Sequence, residues 1–149
     1  MPQDSSWAVQ SLAADPLPQI RDMVTNGAAA PRRGGLAEWQ LNRVAVYTEA
    51  NLAGQIRIAD LAACTGLSAS YFFQAFRRST GLSPYAYIIR HRVARVQRLL
   101  IHTRQPLSHV ALECGLADQP HLTRLFRRIV GMSPAAWRRM QQATPLSHG

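Results

Sequence analysis

Apolar residues return every three or four positions over most of the chain, and no stretch alternates with period two for long enough to argue a strand. Leu41, Val44, Ala45, Thr48 and Leu52 fall at i, i+3, i+4, i+7 and i+11, which predicts one face of a helix. Ile58, Leu61 and Ala62 begin a second, short helix that stops near Gly66. Ser68 is placed to cap a third, with Phe72, Ala75 and Phe76 turned inward and Gly81 at its end. Ser83-Pro84 sets a capping residue before a proline at the first helical position. It opens a long helix over about 84–102 with Ile89, Val93, Val96 and Leu100 as the buried stripe, and Arg92, Arg95 and Arg98 on a different side. Pro106 stops it, because the residue before a proline is pushed out of the helical region. Leu107, Val110 and Ala111 start a fifth helix that ends before Gly115. Asp118 is placed to cap a sixth, with Leu122, Leu125 and Phe126 inward and Gly131 at its end, and Ser133-Pro134 opens a seventh containing Trp137. The pattern predicts an all-α fold of about seven helices.

The flanks differ. Residues 1–36 hold four of the nine prolines, three glycines and the run Ala28-Ala29-Ala30, which reads as an arm or linker, partly disordered, with a short helix around Gln19–Thr25. Residues 142–149 read as a frayed tail.

The helical region repeats itself. Ala62, Gly66 and Leu67 recur as Ala111, Gly115 and Leu116 after 49 positions. Phe76, Arg77, Arg78, Gly81, Ser83, Pro84 and Ala86 recur as Phe126, Arg127, Arg128, Gly131, Ser133, Pro134 and Ala136 after 50. The extra residue falls in a turn, where a duplicated structural unit tolerates it. The unit is a short helix, a tight turn at Gly-Leu, a second helix and then Gly-x-Ser-Pro into another helix. That is a helix-turn-helix present twice, over about 57–81 and 107–131. The Gly supplies positive φ as the chain leaves the first helix, and the following Leu plugs the gap between the two. Phe76 and Phe126 are expected to anchor in the core, leaving the Arg pairs behind them beside phosphates.

Charge sharpens the picture. All seventeen basic residues are Arg; the chain has no Lys. Residues 1–56 carry a net −1, whereas residues 57–149 carry thirteen Arg against Asp60, Glu113 and Asp118, a net +10. A block so basic suits a polyanionic partner, and guanidinium forks onto both phosphates and base edges. The other account of the charge is a solvated face that keeps the protein soluble. Without Lys there is no P-loop lysine, Schiff-base lysine or Ser-x-x-Lys nucleophile. The three acids after Ile56 are scattered, so no carboxylate pair for catalysis is seen. Cys64 and Cys114, fifty positions apart, make neither a disulfide framework nor a zinc knuckle, and each reads as a small buried hydrophobe. His91, His102, His109, His121 and His148 lack metal-ligand spacing, so no metal or other cofactor is expected. Trp39 and Trp137 read as packing residues. The longest run of large aliphatic residues is Leu99-Leu100-Ile101, too short for a membrane span. The opening Met1-Pro2-Gln3-Asp4-Ser5-Ser6 has neither a basic nor an apolar segment of a secretory signal, and a cytoplasmic, nucleoid-associated protein is expected.

Val110 to Gln119, then Phe126-Arg127-Arg128, then Gly131-Met132-Ser133-Pro134-Ala135-Ala136-Trp137-Arg138-Arg139 resemble the AraC/XylS family of bacterial transcription regulators. The resemblance covers about residues 37–141. It implies two helix-turn-helix subdomains joined by the long central helix, here roughly 28 Å long at 1.5 Å per residue. It also implies recognition of double-stranded DNA through two adjacent major-groove segments, with binding by a monomer feasible. Most members carry a sensing or dimerisation domain ahead of this region; here 36 residues precede it. Carried onto this chain, the base-reading positions are Ser70, Phe73, Gln74 and Arg77 in the first unit and Gln119, Pro120, Thr123 and Arg124 in the second. Gln74 suits adenine and Arg124 suits guanine, each through two hydrogen bonds. Phe73 has two readings, outward onto a thymine methyl or inward beside Phe72. Pro120 is tolerated in a first turn but donates no hydrogen bond. His121 either reaches a phosphate or packs. Arg78, Arg92, Arg95, Arg127 and Arg128 are the candidate phosphate contacts. A second reading, from a different class, is a helical adaptor that touches RNA polymerase or another regulator and holds DNA only non-specifically.

Overall fold

The computed structural model describes residues 34–143, so the helix expected at 19–25 and most of the arm and tail lie outside the described residues. Seven helices follow in order: α1 Glu38–Ala50, α2 Ile58–Thr65, α3 Ala69–Thr80, α4 Pro84–His102, α5 Leu107–Glu113, α6 Gln119–Val130 and α7 Pro134–Ala143. No strand occurs among the described residues. The chain divides into two compact units, one ending at His91 and the next beginning at Arg92, so α4 contributes residues to both.

Capping explains where the helices begin. The Ser68 hydroxyl accepts from the Tyr71 N–H at 3.2 Å, and the Asp118 carboxylate accepts from the His121 N–H at 2.8 Å. Ser83 and Ser133 accept from the N–H groups of Ala86 and Ala136, both at 3.1 Å. Each such cap contributes about 1 kcal/mol by satisfying a donor that the helix cannot. α1 and α2 start differently. Gln40 and Asp60 reach back to accept from the N–H of Ala37 (2.8 Å) and Arg57 (3.2 Å). That is half of a capping box, because neither Ala37 nor Arg57 has a side-chain acceptor to complete it.

The two helix-turn-helix turns match. Gly66 and Gly115 both have φ of 75°, a left-handed conformation that a side chain would strain. The chain then folds back, so that Leu67 donates to the Ala62 carbonyl at 3.2 Å and Leu116 to the Ala111 carbonyl at 2.9 Å. Leu116 is buried and plugs its turn, while Leu67 is half-buried. The extra residue of the second turn is Ala117, between Leu116 and the cap at Asp118. Its N–H donates to Nδ1 of His121 at 3.2 Å, which assigns His121 a local role in the turn.

In the first unit Leu41, Val44, Leu61, Phe72, Phe76 and Tyr87 are fully buried. In the second, Val96, Leu100, Val110, Leu122, Phe126 and Trp137 are. The aromatic anchors obey the repeat: Phe76 meets Tyr87 edge-on at 5.1 Å, and Phe126 meets Trp137 edge-on at 5.7 Å. Tyr87 also lies against the buried His91, whose Nδ1 is 3.8 Å from the Glu49 carboxylate. Burial and that carboxylate both raise the Tyr87 phenol above its ordinary range.

Four expectations are corrected. Leu52 is buried, but past the end of α1, because Asn51 turns the chain and closes onto the Thr48 carbonyl. Leu36 belongs to the core and not to the arm: it is buried, and its N–H donates to the Ser79 hydroxyl at 2.7 Å. Helix α7 continues through Gln142 and Ala143, the first residues assigned to the tail. Trp39 is not a packing residue: it is 53% exposed, with the Arg43 guanidinium 5.3 Å from its ring centroid.

Candidate nucleic-acid interface

The second helix of each unit is amphipathic. On α3 the buried positions are Phe72, Ala75, Phe76 and Ser79; on α6 they are Leu122, Leu125, Phe126 and Val130. Among the exposed positions is a stripe at i, i+4, i+7 and i+8. It reads Ser70, Gln74, Arg77 and Arg78 on α3 and Pro120, Arg124, Arg127 and Arg128 on α6, all exposed. The two stripes superpose under the 50-residue shift. Beside each stripe is a half-buried residue, Phe73 in the first and Thr123 in the second. Phe73 is thus at the rim, neither in the core with Phe72 nor fully in solvent. Gln119 is exposed at the start of α6, and Pro120 follows it in the first turn, where its missing N–H removes no helix bond.

The stripes place fixed positive charge on an accessible surface. Arg77 and Arg78 lie in the last turn of α3, as do Arg127 and Arg128 in α6, where a cation also complements the helix C-terminus. The Arg78 side chain passes over Gly34. Arg92 and Arg95, on α4, are half-buried, while Arg98 is exposed.

One arginine given no role from the sequence has a defined set of partners. Arg138, on α7, donates from Nε to the Leu100 carbonyl (3.3 Å), from Nη1 to the Gln105 carbonyl (2.9 Å) and from Nη2 to the Thr103 carbonyl (3.2 Å). Its charge is engaged inside its own unit. The only sequence signal was its place in the Trp-Arg-Arg run, which does not separate it from the exposed Arg139.

The two cysteines differ in exposure. Cys114 is buried, and burial pushes its thiol up to about 12, with Arg95 pulling the other way. Cys64 is only half-buried, contrary to expectation. It lines an apolar groove of about 460 Å³ on the outer side of α1 with Asn42, Arg43, Val46, Tyr47, Ala50 and Asn51. Burial raises its thiol as well, and the Arg43 charge opposes the shift. Native protein treated with iodoacetamide at pH 8 should label at Cys64 and not at Cys114, which becomes reactive only on unfolding. Equal labelling rates would contradict the burial of Cys114. Among the described residues no group of three His, Cys, Asp or Glu is placed to hold a metal, and no helix is long and apolar enough to cross a membrane.

A family profile described as a helix-turn-helix domain matches residues 61–140. The probable transcriptional regulator LumQ of Photobacterium leiognathi is 34% identical over 100 residues, which is 66% of this chain and 40% of LumQ. The chain therefore spans about two fifths of the length of that relative. Among solved structures, the DNA-binding domain of the global transcriptional factor AdpA, in complex with a target DNA, is 35% identical with a TM-score of 0.65, covering 70% of this chain and 94% of that one. A probable AraC family transcriptional regulator from Rhodopseudomonas palustris is 34% identical with a TM-score of 0.60, covering 68% and 96%. With the duplicated turn, the repeated exposed stripes and these likenesses together, the chain belongs to the AraC family of helix-turn-helix regulators.

Proposed function

We propose that residues 37–141 are the DNA-reading part of a transcription regulator that binds double-stranded DNA sequence-specifically as a single chain. The observation that carries this is the exposed stripe repeated on α3 and α6, with guanidinium groups at matching positions. Each unit offers one recognition helix to one major-groove segment. Ser70, Phe73, Gln74 and Arg77 face bases in one segment; Gln119, Pro120, Thr123 and Arg124 face them in the other. Gln74 pairs with adenine and Arg124 with guanine. Phe73, half-buried at the rim, contacts a thymine methyl. Arg78, Arg92, Arg95, Arg127 and Arg128 contact phosphates and set register. The protein acts by binding and not by catalysis, in the cytoplasm on the nucleoid, with RNA polymerase as a further partner.

Selection of bound duplexes from a random pool, followed by band shifts against bulk DNA at moderate salt, tests the proposal. Enrichment of a bipartite sequence is expected; enrichment of none would overturn it. The groove on the outer side of α1 and the exposed Trp39 and Val46 favour a second reading, an adaptor that binds a regulator or RNA polymerase. Equal affinity for all duplexes beside tight binding to such a protein would select it.

A further inference from the structure

The carbonyls that Arg138 engages lie on three successive pieces of chain. Leu100 is in the last turn of α4, Thr103 is just beyond it, and Gln105 immediately precedes Pro106, the residue from which α5 starts. The last carbonyls of a helix have no partner within it, and a cation there is favoured by both hydrogen bonding and the helix dipole. At the start of α5, Pro106 supplies no side-chain cap, and the turn before it has only a long local bond, the Gln105 N–H donating to the Thr103 hydroxyl at 3.3 Å. The guanidinium fork supplies both needs at once, from α7, whose neighbouring Trp137 is fully buried against Phe126 of the recognition helix. One planar group thus connects the end of α4, the turn and the start of α5 to the helix that braces α6. In the first unit the repeat-equivalent position is the buried Ile88, so the device belongs to the second helix-turn-helix alone.

We infer that Arg138 is a positioning residue for the second helix-turn-helix, setting the pose of α5 and hence of α6, and that it is not one of the arginines that touches DNA. The inference rests on the DNA-reading function proposed above. Lysine cannot replace the fork: its ammonium is a compact point charge on a flexible stem and cannot present three donors to carbonyls on three separate segments in one plane.

The test uses the full chain with R138A and R138K, on the duplex selected for the wild type. Circular dichroism at the binding temperature identifies folded variants, and R138K, which keeps the charge, serves if R138A does not fold. Both variants should bind roughly fivefold or more weakly, the least expected when one well-aimed base-reading group is misplaced. Hydroxyl-radical protection should fade over the segment that Arg124→Ala identifies as read by α6 and persist over the other. The dependence of log K on log salt should keep its slope. A slope lowered by about 0.9 with rescue by R138K would make Arg138 a phosphate ligand and overturn the inference. A lowered Tm with unchanged affinity and footprint would reduce it to a stability role and also overturn it. Failure of the wild type itself to prefer any sequence would instead overturn the functional proposal.

Discussion

Trp137→Ala should lower the free energy of unfolding by about 3–5 kcal/mol, the range for truncating a large aromatic in a packed core. The side chain is 0% exposed and meets Phe126 edge-on, so removing it leaves a cavity behind the recognition helix α6. Urea denaturation followed by circular dichroism reads the effect as a lowered midpoint with an unchanged m value. Trp39→Ala is the internal control. That indole is more than half exposed and touches the core little, so the change should cost less than about 1 kcal/mol. The indole N–H of Trp137 has no acceptor among the described residues. Trp137→Phe should therefore forfeit volume only and cost less than Trp137→Ala, since it leaves the smaller cavity. Equal losses for the two Trp→Ala variants would contradict the packing described.

Arg124→Ala should cost about 1–3 kcal/mol of specific DNA affinity and relax the preference at a single base pair, while leaving folding unchanged. Its side chain is exposed one turn beyond Pro120 on α6. Arg128→Ala should behave differently. It should weaken all sequences alike and lower the salt slope by about 0.9, as expected when one phosphate is no longer neutralised. Binding to a panel of single-base variants at several salt concentrations separates the two. A uniform loss for Arg124→Ala would remove it from the base-reading set.

Most helix limits were legible in the sequence because they are local; the ends of α1 and α7 were not. Ser-Pro, Gly-Leu and the capping Ser68 and Asp118 act within four residues, and the nineteen-residue extent of α4 is the one the punctuation predicts. The exposed stripes of α3 and α6 were legible for a related reason: exposure along a helix follows from which of its faces is apolar. Features that depend on residues far apart in sequence were not. The bond from Leu36 to Ser79 joins positions 43 apart, and no pattern near Leu36 marks it as core. Arg138 reads as another basic surface residue, since carbonyls 33 to 38 positions upstream leave no trace in side-chain spacing. Trp39 and Cys64 look apolar in composition, but among the described residues Trp39 is more than half exposed and Cys64 lines an open groove beside α1.

Two bodies hold α4 in common. Severed between His91 and Arg92, it would become stubs of eight and eleven residues, both below the dozen or so at which a helix persists by itself in water. Each body would lose the continuation that winds its share of that helix. The repeated motif therefore does not divide into two modules that could be cut apart at that point; a single uninterrupted backbone serves both.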